Sequence, residues 1–209
     1  RMRVDDASNR SYLEVMIRIS RANPEPRPPR DGHVCPAWAG PLLCCPIRRL
    51  FGSPEKLLSD HVSPGMTVLE PGPGMGWFTL PLARLVGPQG RVVARDVQPG
   101  MVEGLRRRAA RAGLLDRIEA EPCAADDLGL GAWAGRIDAA IVIHVLHEVP
   151  DRPLFLRQVH AALRPGGRLL LLEPKGHVTA KALAEEIAEA SIAGLRVRAD
   201  AGRRGEIGA

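Results

Sequence analysis

Between strand-like Val68-Leu69 and a helical pattern, the chain reads Glu70-Pro71-Gly72-Pro73-Gly74-Met75-Gly76. Gly72, Gly74 and Gly76, with Pro73 between the first two, let the backbone approach a ligand closely and take positive φ where a side chain would clash. The spacing is G-x-G-x-G, not the G-x-G-x-x-G that presents a helix N-terminus to a pyrophosphate. Glu70 stands directly before the glycines. A carboxylate there repels a pyrophosphate and suits a ligand that carries an ammonium group. Asp96 follows 20 residues after Gly76. Its two oxygens can accept both hydroxyls of a ribose, a role common to several nucleotide-type ligands. A plain turn residue is the alternative for Asp96 taken alone, and the glycine loop at that distance favours the ligand role. Further on, His144 ends an apolar run, with His147 and Glu148 just beyond. An imidazole at such a strand end could serve proton transfer, but a pocket-wall or backbone-contact histidine is the favoured reading.

The elements that must hold these residues alternate. Met66 to Leu69 reads as a short strand, Trp77 to Val86 as a helix with Phe78, Leu82 and Val86 on one face, closed by Gly87-Pro88. Arg91 to Ala94 is a second strand and Pro99 to Ala112 a second helix, ended by Gly113. Ile118 to Glu121 is a third strand. Ile137 to Ile143 is almost unbroken apolar, as in a central strand covered on both faces. Asp151 to Leu163 is a helix with an N-cap aspartate, Pro165-Gly166-Gly167 turns the chain, and Arg168 to Leu172 is a fifth strand. Thr179 to Ala193 is an amphipathic helix, followed by the strand-like Leu195 to Val197. Alternation of this kind predicts an α/β fold: a doubly wound, mostly parallel sheet whose ligands sit outside the strands' carboxyl ends.

Composition bounds the rest. The 209 residues fit one domain, with an ordinary apolar fraction of 45% and a net charge of +5. The 26 arginines are scattered, and the densest run, Arg106 to Arg108, falls on a predicted helix, where a solvated face explains it better than a nucleic-acid groove. No apolar stretch approaches the length needed to cross a bilayer, and Arg18 and Arg21 interrupt the short apolar run near the start, so a cytoplasmic location is expected. Cys35, Cys44, Cys45 and Cys123 lack metal-site spacing even with His33 beside them, and no metal is expected. Residues 1–31 combine a short apolar-patterned piece, Tyr12 to Ile19, with four prolines between Asn23 and Asp31. They are expected to form a flexible, basic, Pro-rich arm. Residues 32–62, with a helix start at Ser53-Pro54-Glu55, are expected to form a helical lid carrying His33, Trp38, Leu42 and Leu43. Residues 63–209 would form the ligand-binding domain.

The segments MTVLEPGPGMGWFTLPLA, RVVARDVQPGMVEGLRRRA, IDAAIVIHVLHEVPD and LRPGGRLLLLEP, taken in this order, resemble the class I S-adenosylmethionine (SAM)-dependent methyltransferases. The resemblance runs from about Pro54 to Gly176 and is similar in particular to the bacterial ubiquinone/menaquinone-biosynthesis methyltransferases. It implies SAM as cofactor. Glu70 and the loop of Gly72, Pro73, Gly74 and Gly76 would hold its methionine part and Asp96 its ribose. Val97 and Met101 would wall the adenine, with Ala124 and Ala125 at its far edge. It also implies transfer of a methyl group to a small, lipophilic molecule, with His144 as the candidate base and nucleic acid disfavoured, since no N-P-P-Y motif is present. Two departures stand out. The family's D-A-x-x-L pattern is here Ala124-Ala125-Asp126-Asp127-Leu128, so Ala124 replaces the acid and leaves Asp126 or the backbone to meet the adenine. The family sheet ends in an antiparallel hairpin, and the tail after Arg196 predicts an incomplete last strand. A non-catalytic SAM- or nucleotide-binding protein of the same fold is the alternative function. A nicotinamide-dependent dehydrogenase ranks behind both.

Overall fold

The computed structural model describes residues 13–20, 53–174 and 178–199. Seven strands form one sheet in the order β4-β3-β2-β5-β6-β1-β7, and every pairing between them is parallel. The strands are β1 (Leu13–Ser20), β2 (Thr67–Pro71), β3 (Arg91–Asp96), β4 (Ile118–Pro122), β5 (Ile137–Ile143), β6 (Leu163–Pro174) and β7 (Leu195–Ala199). The helices are α1 (Pro54–Leu58), α2 (Thr79–Val86), α3 (Pro99–Arg111), α4 (Arg152–Ala162) and α5 (Ala180–Ile192). From β2 the chain steps outward through β3 and β4, then returns to the other side of β2 with β5 and β6. This reversal opens a crevice at the carboxyl ends of β2 and β5, the place where such sheets bind ligands.

Alternation along each central strand divides the core into two layers. Val68, Val92, Ala94, Ala139, Ile141, Ile143, Leu170 and Leu172 meet α2 and α3 through Leu82, Val86, Val102, Leu105 and Ala109. Leu69, Val93, Ala140, Val142, Leu169 and Leu171 meet α4 and α5 through Phe155, Leu156, Val159 and Ala190. With both faces covered, the central strands have no polar side to show, which is why β5 reads as a continuous apolar run. β5 matches its sequence reading residue for residue. Asp151 caps α4, its Oδ1 accepting the Leu154 N–H at 2.9 Å. Thr179 caps α5 in the same way, accepting from Ala182. Ser53 does not cap α1 with its side chain; its hydroxyl donates to Glu55 instead, and α1 ends at Leu58.

Two sequence expectations are corrected here. Leu13–Ser20 lies within the sheet, so the flexible-arm reading does not hold for those residues, while residues 1–12 and 21–31 fall outside the described part. β1 pairs with β6 from Glu14↔Arg168 to Ser20↔Pro174 and with β7 from Leu13↔Leu195 to Ile17↔Ala199. Its sequence, LEVMIRIS, is rich in β-branched residues, and the ladder on both sides satisfies its backbone. Among the described residues β7 forms this edge of the sheet, and β1 stands between it and β6. The second correction is smaller: α2 begins at Thr79 rather than Trp77, because a turn leaves the glycine loop first. His33, Trp38, Leu42, Leu43, Cys35, Cys44 and Cys45, and the lid they were assigned to, lie outside the described residues as far as residue 52. No described helix is long and apolar enough to cross a membrane.

Candidate functional site

The loop after β2 is shaped by its neighbours. Gly72 donates its N–H to the Arg95 carbonyl at 2.8 Å, and Gly76 donates to the Pro73 carbonyl at 2.9 Å, closing a tight turn around buried Pro73. Gly74 has φ +53° and Gly76 φ +84°, both in the left-handed region that glycine enters at little cost. Their surroundings differ. A Cβ on Gly76 would lie 2.4 Å from Leu105 Cδ1 and 2.9 Å from Leu80 Cδ1, so close helix packing requires the glycine. A Cβ on Gly74 would meet nothing within 4 Å, leaving that side of the loop open.

Glu70, at the carboxyl end of β2, is only 4% exposed, and its Oε2 is buried with no hydrogen-bond partner among the described residues. Burial pushes its carboxyl up from 4.5 to about 8; the neighbouring Thr79 hydroxyl offsets this in part, and the Asp96 charge adds to it. A buried oxygen without a partner costs on the order of 1–3 kcal/mol, more if charged, and a cationic donor removes that cost. Asp96 closes β3 and is also buried. Its Oδ2 accepts the Gly74 N–H at 3.0 Å and its Oδ1 the Gln98 N–H at 2.9 Å. Burial raises its pKa, and those two backbone bonds oppose the rise. Each oxygen keeps one acceptor site beyond the N–H it holds, enough for a vicinal diol. The same carboxylate thus fixes the glycine loop.

Beyond Asp96, Val97 is 42% exposed, a large apolar side chain standing in solvent at the mouth of the cleft. Met101, four residues further on, is buried instead. Ala124 and Ala125 are exposed in the loop that follows β4. The Cys123 N–H before them donates to the Asp96 carbonyl at 3.0 Å, and burial, with the Asp96 charge behind it, pushes the Cys123 thiol up to about 11. That wall is neutral and apolar. Asp126 is exposed, and its backbone is held from elsewhere: the Gln158 side chain donates to the Asp126 carbonyl at 2.8 Å and accepts the Leu128 N–H at 2.8 Å.

His144 leaves β5 with φ +58°, the one positive φ outside glycine among the described residues, and donates its N–H to the Leu172 carbonyl at 2.8 Å. Backbone strain of this kind collects at functional sites, where it aims a side chain. His147 and Glu148 follow on a single 3₁₀ turn, Leu146–Glu148. His147 Nδ1 is hydrogen-bonded to Glu173 Oε2, while Glu173 Oε1 accepts the Leu146 N–H at 2.9 Å. Burial opposes the His147 charge, but the Glu173 hydrogen bond and charge outweigh it and hold the imidazole's pKa above its ordinary value. His147 therefore anchors the turn. Among the described residues no group of three or more His, Cys, Asp or Glu is placed to hold a metal.

The structure thus brings Glu70, the glycine loop, Asp96 and Val97 around one crevice at the carboxyl ends of β2 and β3. Four contributors went unread in the sequence: Thr79, Arg108, Gln158 and Glu173. Arg108, Gln158 and Glu173 act across 27 to 33 residues of chain, while Thr79 lies near Glu70 in sequence, and only Glu173, in the segment LLLLEP, carried a local signal as an acid ending a strand. An orphaned buried carboxylate oxygen for an ammonium, an anchored carboxylate for a diol, and an open glycine between them fit the methionine and ribose parts of SAM.

The fold is that of the class I SAM-dependent methyltransferases. The family model described as "Methyltransferase domain" matches residues 62–196, and the chain belongs to that family. It is similar to the ubiquinone/menaquinone biosynthesis C-methyltransferases UbiE of Hahella chejuensis, 35% identical over 58% of this chain and 49% of that protein, and of Klebsiella pneumoniae, 33% identical over 52% and 43%. The chain spans about half the length of these curated relatives. Among solved structures, a SAM-dependent methyltransferase from Aquifex aeolicus shares the fold with a TM-score of 0.67 at 23% identity, over 74% of this chain and 87% of that one. The [4+2]-cyclase SpnF shares it with a TM-score of 0.54 at 21% identity, over 67% and 55%. A cyclase among the neighbours shows that this fold does not by itself fix the reaction.

Proposed function

We propose that the chain binds SAM in the crevice at the carboxyl ends of β2 and β3 and transfers its methyl group to a small, lipophilic acceptor. The observation that carries this reading is Glu70 Oε2, a buried carboxyl oxygen with no hydrogen-bond partner among the described residues, beside a loop that those residues leave open at Gly74. When bound, SAM supplies an electrophilic methyl group on a sulfonium, so the leaving group is built in. The chain's residues have then to hold and align. Glu70 pairs with the ammonium, Asp96 accepts from the ribose hydroxyls, and Val97 lies along the adenine with Ala124 and Ala125 at its edge. Met101, being buried, supports that wall from beneath. His144 is aimed by its strained backbone and takes the proton that an acceptor hydroxyl gives up.

The names of the similar C-methyltransferases favour a hydroquinone-type aromatic ring as acceptor, with a ring carbon receiving the methyl group and then giving up its own hydrogen as a proton, which restores the aromatic ring. The cytoplasmic setting expected from the sequence is compatible with such a substrate, and nucleic acid is not proposed as one. Calorimetry with SAM, S-adenosylhomocysteine and NAD tests the cofactor. Micromolar binding of the first two, about −8 kcal/mol, with NAD much weaker, is expected. Equal or tighter NAD binding overturns the assignment. Incubation with labelled SAM and a 1,4-naphthohydroquinone then separates the enzyme from a non-catalytic binder: label in the ring supports transfer to carbon, and label on oxygen moves the acceptor atom.

A further inference from the structure

Arg106, Arg107 and Arg108 are adjacent in the chain, yet they do different things. Arg106 is engaged with Glu103, Glu121 and the Ala120 carbonyl on the outer side of α3, and Arg107 is exposed. Arg108 instead reaches back 33 residues and donates from Nη1 to the Met75 carbonyl, inside the glycine loop. One turn earlier on the same helix face stands Gly104, where a Cβ would lie 2.8 Å from Met75 Cγ and 3.0 Å from its Sδ. Beside it, fully buried Leu105 fills the space under Gly76. The helix itself starts three residues after Asp96, whose carboxylate holds the Gly74 N–H. α3 and its entry therefore grip three consecutive loop residues: Gly74 through Asp96, Met75 through Gly104 and Arg108, and Gly76 through Leu105.

Glycine-rich backbone is the least ordered kind, and a ligand that must order it loses affinity by that entropy. A loop already gripped does not impose that loss. We propose that Arg108 is a positioning residue for cofactor binding, pre-organising the glycine loop through the Met75 carbonyl while Gly104 leaves room for the Met75 side chain to lie flat on α3. The proposal rests on the reading that this loop holds the methionine part of SAM. Its effect must then fall on the aminocarboxyl end of the ligand and spare the adenosine end.

Two ligands distinguish the ends: S-adenosylhomocysteine, and 5′-methylthioadenosine, which keeps the adenosine and the sulfur but has no aminocarboxyl group. In calorimetry with the full chain, Arg108→Ala is expected to weaken S-adenosylhomocysteine about tenfold, the scale of a lost hydrogen bond from a charged donor, and methylthioadenosine less than about twofold. Gly104→Ala is expected to weaken S-adenosylhomocysteine as well, by pushing Met75 off the helix. Adding Met75→Ala to it removes the clash and restores binding, a non-additivity that general destabilisation does not produce. Unchanged S-adenosylhomocysteine binding by Arg108→Ala, or equal weakening of both ligands, overturns the proposal. A wild-type protein that binds the two ligands equally, with Glu70→Gln altering neither, overturns the methionine reading itself and takes this inference with it.

Discussion

At the scale of single residues, the electrostatics of the cleft turn on Glu70. Its carboxyl sits at about 8, so at neutral pH without ligand it is mostly protonated. An ammonium beside it favours the carboxylate, and binding must then expel the proton. SAM affinity should therefore rise between about pH 6 and about pH 7.5, where the ammonium itself stays charged. Titrations at pH 7 in buffers of differing ionisation heat should show nearly one proton released per S-adenosylhomocysteine bound. Glu70→Gln should abolish that release and weaken binding. A heat independent of the buffer sinks the assignment of Glu70 to the ammonium. The same shift acts on folding with a definite sign. A carboxyl raised from 4.5 to about 8 stabilises the fold below its unfolded value, and that contribution is lost as pH rises through the folded value. Glu186, fully buried on α5 and pushed to about 7 first by burial and then by Glu173, acts in the same direction. Glu70 stood out in the sequence because an acid at the end of an apolar strand, before a glycine run, has few structural reasons to be there, and Asp96 because it ends the next strand 20 residues after that run. Arg108 and Gln158 were not. A triple arginine on an amphipathic helix looks solvated, and a glutamine that braces a loop 30 residues away leaves no local trace.

At the scale of elements, one loop contains two glycines that the sequence presents as equivalent and the structure does not. Gly76 is a packing glycine: its left-handed φ costs any other residue about 1–2 kcal/mol, and a Cβ would strike Leu105 and Leu80. Overpacking adds about 1–3 kcal/mol, so Gly76→Ala should cost about 3 kcal/mol in all. Gly74 has the strain without the clash. Gly74→Ala should cost about 1 kcal/mol of stability, and a methyl group projecting into the open side of the loop should still weaken SAM. Thermal melts with parallel calorimetry check the contrast. Melting temperatures should fall by roughly 6–12 °C for Gly76→Ala and 2–4 °C for Gly74→Ala, given the usual scaling for a chain of this size. Equal losses of stability, or normal SAM binding by Gly74→Ala, contradict the division. Element boundaries were legible wherever burial is two-sided, as in β5, or where a cap announces a helix, as Asp151 does for α4. They were less so at α2, where the turns of the glycine loop delay the helix to Thr79 although the apolar pattern already begins at Trp77.

At the scale of the whole molecule, the sheet has an insertion that local pattern did not disclose. The alternation of strands and helices from Met66 onward specifies parallel units with little ambiguity, because each crossover helix supplies the next strand with its neighbour. β1 has no such helper. It precedes a Pro/Arg-rich stretch, and its two partners lie some 150 residues or more away, beginning at Arg168 and Leu195. Nothing in an eight-residue segment states which strands will flank it, so LEVMIRIS reads equally well as a short apolar patch on an arm. In the sheet it is the only link between β6 and β7 among the described residues. Ile17 sits at the point of greatest consequence, facing Leu171 on one side and Ala199 on the other. Proline there removes an amide donor from an interior strand and forbids the regular ladder, a change costing about 3 kcal/mol or more. Ile17→Pro should lower the melting temperature by roughly 6–12 °C and, by baring the edge of β6, promote association between chains. Hydrogen exchange gives the sharper reading. Amides of Leu170 to Leu172 and of Leu195 to Ala199 should lose protection in the variant, while those of β2, β3 and β4, on the far side of β5, should keep it. If the melting temperature and the exchange pattern of Ile17→Pro match those of the wild type, the N-terminal strand does not belong in the sheet. The edge would then lie at β6, and the flexible-arm reading of residues 1–31 would stand.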